Sequence, residues 1–261
     1  MLIIIILILC FNINCNKIYE SLNNTHIPIH KTYIINLDKD IDRFQYIKKQ
    51  CKQANISKYT RFPAISGVSL NIKNLKNNNI LKLNNDSFFN HNKNGRNSLN
   101  NSIGCGLSHK NIWNDISNTF NKNILILEDD VIIPPNFNLL FNNISKLIPN
   151  DWDIIFLGGS RIHGNQINSK IIKAIKSKNI LHNCGLFAYI INSNSSKLLN
   201  QLSSPLSTYI DVQLNRHFNK LNCYYIYPNI IKHNYNIESS RINTNYKYNK
   251  QFISKANKIQ L

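Results

Sequence analysis

Glycine is scarce in this chain, with 8 residues in 261, which disfavours collagen-like, glycine-rich and turn-dense all-β architectures. Acidic residues are also few, 13 Asp and Glu against 31 Lys and Arg, for a formal charge of +18 at pH 7. A surplus of that sign points towards nucleic acid, an anionic membrane surface or a phosphorylated ligand. Yet the lysines are spread along the whole chain, with no arginine-rich run, no basic repeat interleaved with aromatics and no zinc-finger spacing. A dedicated nucleic-acid module is therefore not expected. The cysteines, Cys10, Cys15, Cys51, Cys105, Cys184 and Cys223, form no CxxC or CxxH pair, so no ordinary zinc spacing is present and buried free thiols are expected. In an oxidising lumen the body thiols would be able to pair, in a connectivity the sequence does not give.

What the chain has in excess is Asn and Ile, 47 and 44 residues. Both, like Lys, have AT-rich codons, so nucleotide bias is a sufficient cause of much of the polarity and of the charge. The six Asn-x-Ser/Thr sequons, at Asn23, Asn55, Asn85, Asn100, Asn143 and Asn194, match the number that chance gives and carry no argument for glycosylation. The remaining composition, 43% hydrophobic and 17% charged, is that of a folded chain long enough for one large domain or two small ones.

The one long apolar run is Met1 to Phe11, about half of the roughly 20 residues that a bilayer-spanning helix needs. Its length is that of a signal-peptide core, although no Lys or Arg precedes it and no small-x-small cleavage site occurs before Asn16. Residues 1–15 are expected to be a signal peptide or weak anchor. The location follows from the leader: secretory lumen or membrane-associated if it functions, cytoplasmic otherwise.

Along the body, Thr32 to Leu37 reads as a strand feeding a helix from Ile41 to Ala54. A short or edge strand follows at Tyr59 to Ile65, broken by Pro63. The Asn- and Lys-rich stretch Asn71 to Asn101 reads as a long loop. A helix is expected over Ile103 to Phe120, with Gly104 and Gly106 loosening its first turn. The runs Asn123 to Leu127 and Trp152 to Leu157 have the continuous apolar character of strands covered on both faces, with a helix from Asn136 to Leu147 between them. Leu186 to Asn192 and Cys223 to Tyr227 are further apolar stretches, with helices at Ser193 to Leu202 and Tyr209 to Leu221. This alternation predicts a single α/β domain over residues 31–231, a mostly parallel sheet covered by helices, followed by a basic tail over 232–261.

The sharpest chemical signal is ILILEDDVIIPP, where Glu128, Asp129 and Asp130 directly follow a buried strand. Adjacent like charges need cations to offset them, and the carboxyl end of a strand in an open α/β sheet is where such folds bind ligands. Hard oxygen ligands suit Mg²⁺ or Mn²⁺, which bridge to phosphate oxygens. The alternative is a solvated acidic turn. Alternation along an extended chain would put Glu128 and Asp130 on one face and Asp129 on the other.

The segments YIINLDKDIDRF, RFPAISG, GCGLSHKNIW, ILILEDDVIIPPNF and DWDIIFLGG, in that order, resemble glycosyltransferase family 25, which includes lipopolysaccharide and collagen galactosyltransferases. The resemblance runs from Lys31 to Gly159 and continues more weakly through GLFAYIINSNSSKLL and YIDVQL to YPNI. It implies a GT-A-like (Rossmann-like) fold, a UDP-sugar donor and a divalent cation, Mn²⁺ or Mg²⁺, held at Glu128 to Asp130. It further implies that Asn36, Leu37 and Arg43 border the nucleotide, with a plain surface arginine as the other reading of Arg43. Ser108 and His109 match the family's Ser-His, read here as a helix start where N–H groups favour anions, or else as a cap and a packed ring. Asp211 matches a later acidic position and is the candidate base for an acceptor hydroxyl, or a first-turn helix acid. The family's C-terminal Ser-Asp pair is replaced by Glu238-Ser239-Ser240-Arg241, and His233 is the candidate for a late metal or phosphate contact. The expected activity is transfer of a hexose, galactose or glucose, from a UDP-sugar to a glycan or protein hydroxyl, with inversion as the family's usual outcome. The alternatives are a non-catalytic remnant that binds nucleotide or glycan, and a basic nucleic-acid binder.

Overall fold

A computed structural model describes residues 26–83, 99–179 and 181–237. The leader, the part of the Asn-rich stretch from 84 to 98, and the tail from 238 onward, including Glu238 to Arg241, lie outside the described residues. In chain order the elements are β1 (Lys31–Asn36), α1 (Ile41–Gln53), β2 (Tyr59–Pro63), α2 (Ile72–Asn77), α3 (Leu99–Ile116), β3 (Asn123–Glu128), β4 (Val131–Ile132) and α4 (Phe137–Ser145). Then follow β5 (Ile154–Phe156), β6 (Gly164–Gln166), β7 (Ile171–Ala174), β8 (Ala188–Asn192), α5 (Ser196–Leu202), α6 (Ile210–Asn215), β9 (Cys223–Ile226) and β10 (Lys232–His233).

Eight strands form one sheet in the order β2-β1-β3-β8-β5-β9-β7-β6. β1 pairs in parallel with β2 and β3, and β5 in parallel with β9, while β8 runs antiparallel between β3 and β5. The sheet is therefore mixed, an α/β layer of GT-A-like type in a single domain. β2 is an edge strand, as its Pro63 requires, since proline cannot donate to a further ladder. No helix among the described residues is long and apolar enough to cross a membrane.

Period-two alternation divides the apolar strands between two cores. Ile35, Ile124, Ile126, Ile154, Phe156 and Tyr189 face α3, packing on Ile103, Leu107, Ile112, Trp113 and Ile116. Ile34, Leu125, Leu127, Ile155 and Ile190 face the other way, onto Ile47 and Cys51 of α1 and Phe137 and Phe141 of α4. Both faces of the central strands are thus covered, which is why Ile124 to Leu127 reads as an unbroken apolar run. Cys51 and Cys223 are buried free thiols.

Two expectations are corrected. The stretch Asn71 to Asn101 is not all loop: Asn71 accepts a bond from the N–H of Asn74 at 3.0 Å and caps α2, and Leu81 bridges to Leu206. Nor do Gly104 and Gly106 loosen a first turn, because α3 begins at Leu99 and carries both inside it. Gly104 instead lets the segment after β2 lie directly on the helix: a Cβ there would fall against the carbonyl oxygen of Ile65. The Ile65 N–H in turn donates to Ser108 Oγ at 2.8 Å.

Gly104→Ala should lower stability by about 1–3 kcal/mol, because the obstructing atom is backbone. Gly106→Ala, where the nearest atoms belong to the flexible Leu206 side chain, should cost less. Thermal denaturation of both variants checks this, and equal losses would refute the contact.

Candidate active site

The carboxyl ends of β1 and β3 open into a cleft of about 80 Å³. Asn36, Leu37, Asp40, Arg43, Ile65, Cys105, Ser108, Glu128, Asp129 and Asp130 are among the residues that line it. The sequence expectation of a ligand site at these strand ends therefore meets an actual concavity.

Asn36, the last residue of β1, is buried and organises the floor. Its Nδ2 donates to the Asp40 carbonyl at 2.9 Å and to Asp129 Oδ2 at 2.6 Å, while its Oδ1 accepts from Arg61 Nε at 2.8 Å. Arg43, in the first turn of α1, pairs with Asp129 and, at 3.1 Å, with Asp130. It is thus no plain surface arginine. Burial pushes the Asp129 carboxyl up to about 6, outweighing the lowering by Arg43 and by the Asn36 bond.

Strand alternation does not carry through the acidic run. β3 ends at Glu128, and Asp129 and Asp130 occupy the turn before β4, so both aspartates reach the α1 side while Glu128 meets α3. His109 Nε2 lies 3.3 Å from Glu128 Oε1. Cys105, one helical turn before His109, completes a cluster of potential ligand atoms all within 4.8 Å of one another. That i, i+4 spacing on α3 is a signal present in the sequence that a search for CxxC or CxxH pairs misses.

Ser108 and His109 do not stand at a helix start. They lie in the middle of α3, where backbone N–H groups are bonded within the helix and offer nothing to an anion. Ser108 Oγ donates to the Gly104 carbonyl at 2.7 Å while accepting from Ile65, so its side chain ties helix to loop at the cleft wall.

His233 is brought in by a small ribbon in which β10 pairs antiparallel with β4. The Asn234 N–H donates to the Asp130 carbonyl at 2.7 Å, and His233 Nε2 lies 3.5 Å from Asp130 Oδ2. Among the described residues His233 Nδ1 is buried without a hydrogen-bond partner. The structure therefore gathers Asn36, Leu37, Arg43, Ser108, His109, Glu128, Asp129, Asp130 and His233 around one place. Asp211 is not among the cleft-lining residues: in the first turn of α6, it accepts from the Gly185 N–H at 3.0 Å and the Val212 N–H at 2.8 Å.

The hard oxygen atoms of Asp129 and Asp130, both buried beside Arg43, and of Glu128 on the α3 side of the same cleft are of the chemical type that suits a divalent cation. The family model of glycosyltransferase family 25 (LPS biosynthesis protein) matches residues 29–214. That span holds every cleft-lining residue named above; His233 lies beyond it. A protein of Acanthamoeba polyphaga mimivirus named a glycosyltransferase is 27% identical over 176 residues, covering 64% of this chain and 51% of that protein. Procollagen galactosyltransferase 1 of Danio rerio is 24% identical over 123 residues, 44% of this chain and 20% of the relative. A mimivirus procollagen lysyl hydroxylase and glycosyltransferase is 25% identical over 236 residues, 78% and 25% of the two chains. The chain thus matches between a fifth and about half of the length of these relatives.

The folded Asp129 carboxyl keeps its proton up to about pH 6, against an ordinary value of 3.8. Between those values the folded chain binds more protons than the unfolded one, so this group's contribution to stability falls as pH rises through that window. In Arg43→Gln the carboxyl should titrate above 6, because a lowering influence is gone. Carboxylate ¹³C shifts followed against pH check this; an unchanged or lower midpoint would contradict the pairing.

Proposed function

The chain belongs to glycosyltransferase family 25, and from that premise we propose that it transfers a hexose, galactose or glucose, from a UDP-sugar to a hydroxyl of a glycan or protein acceptor. The observation that carries this reading is the meeting of Glu128, Asp129 and Asp130 with Arg43 in a cleft at the carboxyl ends of β1 and β3. Glu128, Asp129 and Asp130 would hold Mn²⁺ or Mg²⁺, with His233 beside Asp130. The cation supplies positive charge against the diphosphate leaving group.

The chain's own residues then have distinct tasks. Asn36 holds Asp129 by one oxygen and joins it to the end of β1, while Leu37 and Arg43 line the space proposed for the nucleotide. Arg43 keeps the two aspartates side by side and offsets part of their repulsion. Asp211 is proposed as the base that takes the acceptor hydroxyl proton, oriented by the Gly185 and Val212 N–H groups. Support for the acceptor class comes from the procollagen galactosyltransferase relative and from the family's description as lipopolysaccharide biosynthesis proteins.

A donor screen on the full chain tests the reading. UDP release from UDP-galactose or UDP-glucose should require Mn²⁺ or Mg²⁺ and vanish with chelator. Asp129→Asn and Asp130→Asn should each lower it by about a hundredfold or more, since both side chains are engaged at one locus. Release unaffected by chelator and by both substitutions would refute the proposed centre, and cation-dependent UDP binding without turnover would mark a non-catalytic remnant. Asp211→Asn should reduce kcat by about 10²-fold or more with little change in the KM for the UDP-sugar. A loss confined to KM would remove Asp211 from the role of base.

A further inference from the structure

We propose that His109 is a positioning residue for Glu128, locked by Trp113 and Tyr189 as the Nε2–H tautomer so that it donates a hydrogen bond to the carboxylate at the cleft. The inference rests on the proposed donor site only for what Glu128 then holds; the direction of the hydrogen bonds is independent of it.

His109 and Trp113, one turn apart on α3, both face Tyr189 of β8, and all three side chains are fully buried. Trp113 Nε1 donates to Tyr189 Oη at 2.9 Å, His109 Nδ1 lies 3.0 Å from the same oxygen, and His109 Nε2 lies 3.3 Å from Glu128 Oε1. An indole N–H can only donate, so the Tyr189 oxygen accepts from Trp113. The phenolic hydrogen then needs an acceptor, and His109 Nδ1, 3.0 Å away, is at hydrogen-bond distance for it. Nδ1 therefore carries no hydrogen, and that of the neutral ring sits on Nε2, aimed at Glu128. The opposite tautomer would strand the phenolic hydrogen in the interior and set a lone pair against a carboxylate, and an unmade buried bond is costly. Burial keeps the Tyr189 phenol protonated, its pKa raised well above the ordinary value. The bonds thus run in one direction, from Trp113 through Tyr189 and His109 to Glu128.

This arrangement holds Glu128 apart from its two neighbours. Asp129 and Asp130 turn to Arg43 on the α1 side, and the His109 donor draws Glu128 towards α3. Partners behind a metal ligand commonly change affinity by 10- to 100-fold when removed. The same relay denies His109 Nε2 to a soft metal on the Cys105, His109 and Glu128 cluster, because its lone pair is used by the hydrogen.

Two measurements on the full chain test this. In ¹⁵N-histidine-labelled, cation-free protein, long-range ¹⁵N–¹H correlation should show His109 with Nε2 protonated and Nδ1 bare; the reverse pattern overturns the proposal. Mn²⁺ titration should show about tenfold or greater weakening in His109→Leu, and recovery to within about threefold of wild type in His109→Gln, whose amide N–H can still donate. A merely structural histidine would make buried Gln no better than Leu, and that result, or unchanged affinity in His109→Leu, overturns it. Should the Leu variant fail to fold, Tyr189→Phe, which removes one oxygen, is expected to weaken Mn²⁺ in the same direction, and no change overturns the relay. Stoichiometric zinc in the purified chain that is lost in Cys105→Ser also overturns it. If wild type binds no Mn²⁺, the donor-site reading fails while the tautomer pattern still decides the relay.

Discussion

Three consecutive carboxylates at the end of a buried strand repel one another, and burial removes the water that would screen them. Two of them, Asp129 and Asp130, share the guanidinium of Arg43, while Asn36 donates to Asp129 and the β10 ribbon brings His233 to Asp130. This requirement ties distant parts of the chain together. α1 must present its first turn to the end of β3, and β1 must end where Asn36 can reach across. Gln50 of α1 pins the same turn from behind, donating to the Val131 carbonyl at 2.9 Å and accepting from the Ile133 N–H at 2.8 Å. Asp129 carries the electrostatic cost of the arrangement, because its neighbours do not fully offset the penalty of burial.

α3 serves core and cleft with one helix. Its apolar residues, Ile103, Leu107, Ile112 and Trp113, pack on the sheet, and the polar residues between them are spent on fixed contacts. Ser108 binds the segment after β2, Gly104 admits that segment to the helix surface, and His109 faces Glu128. The motifs RFPAISG and GCGLSHKNIW are therefore two sides of one contact, which accounts for their joint presence better than separate roles in ligand binding would.

The apolar runs, the edge position of β2 and the gathering of carboxylates at a cleft at the end of β3 were legible in the sequence because burial writes directly into residue type. Strand direction was not. Ala188 to Ile191 is as apolar as its neighbours, and hydrophobicity carries no sign that would mark β8 as antiparallel. The helical character of Leu99 to Ser102 was hidden by polar residues, Asn100, Asn101 and Ser102, and by the following glycines, which in isolation disfavour a helix but here permit close packing. Alternation failed at Asp130 because it holds only while the chain stays extended, and a turn sets Asp130 beside Asp129 towards Arg43. The relay through Tyr189 was out of reach for a different reason: its members are separated by some eighty residues of chain, and only the sheet brings them together.

The overall charge then takes on a specific meaning. Lys and Arg exceed Asp and Glu by 31 to 13, so the field far from the cleft attracts any anionic donor, but beyond about 8 Å it is largely screened at physiological ionic strength. Selection of a ligand must therefore come from the few groups inside the cleft. Those groups are locally acidic, the reverse of the chain as a whole. A bare anion approaching Asp129 and Asp130 meets repulsion that Arg43, already shared between them, only partly offsets. An anion accompanied by a divalent cation meets oxygen ligands suited to that cation, with Arg43 beside them. For the proposed donor and cation, the contrast between a basic surface and an acidic strand end would favour a cation-bound diphosphate over a free one, a discrimination that net charge alone would never provide.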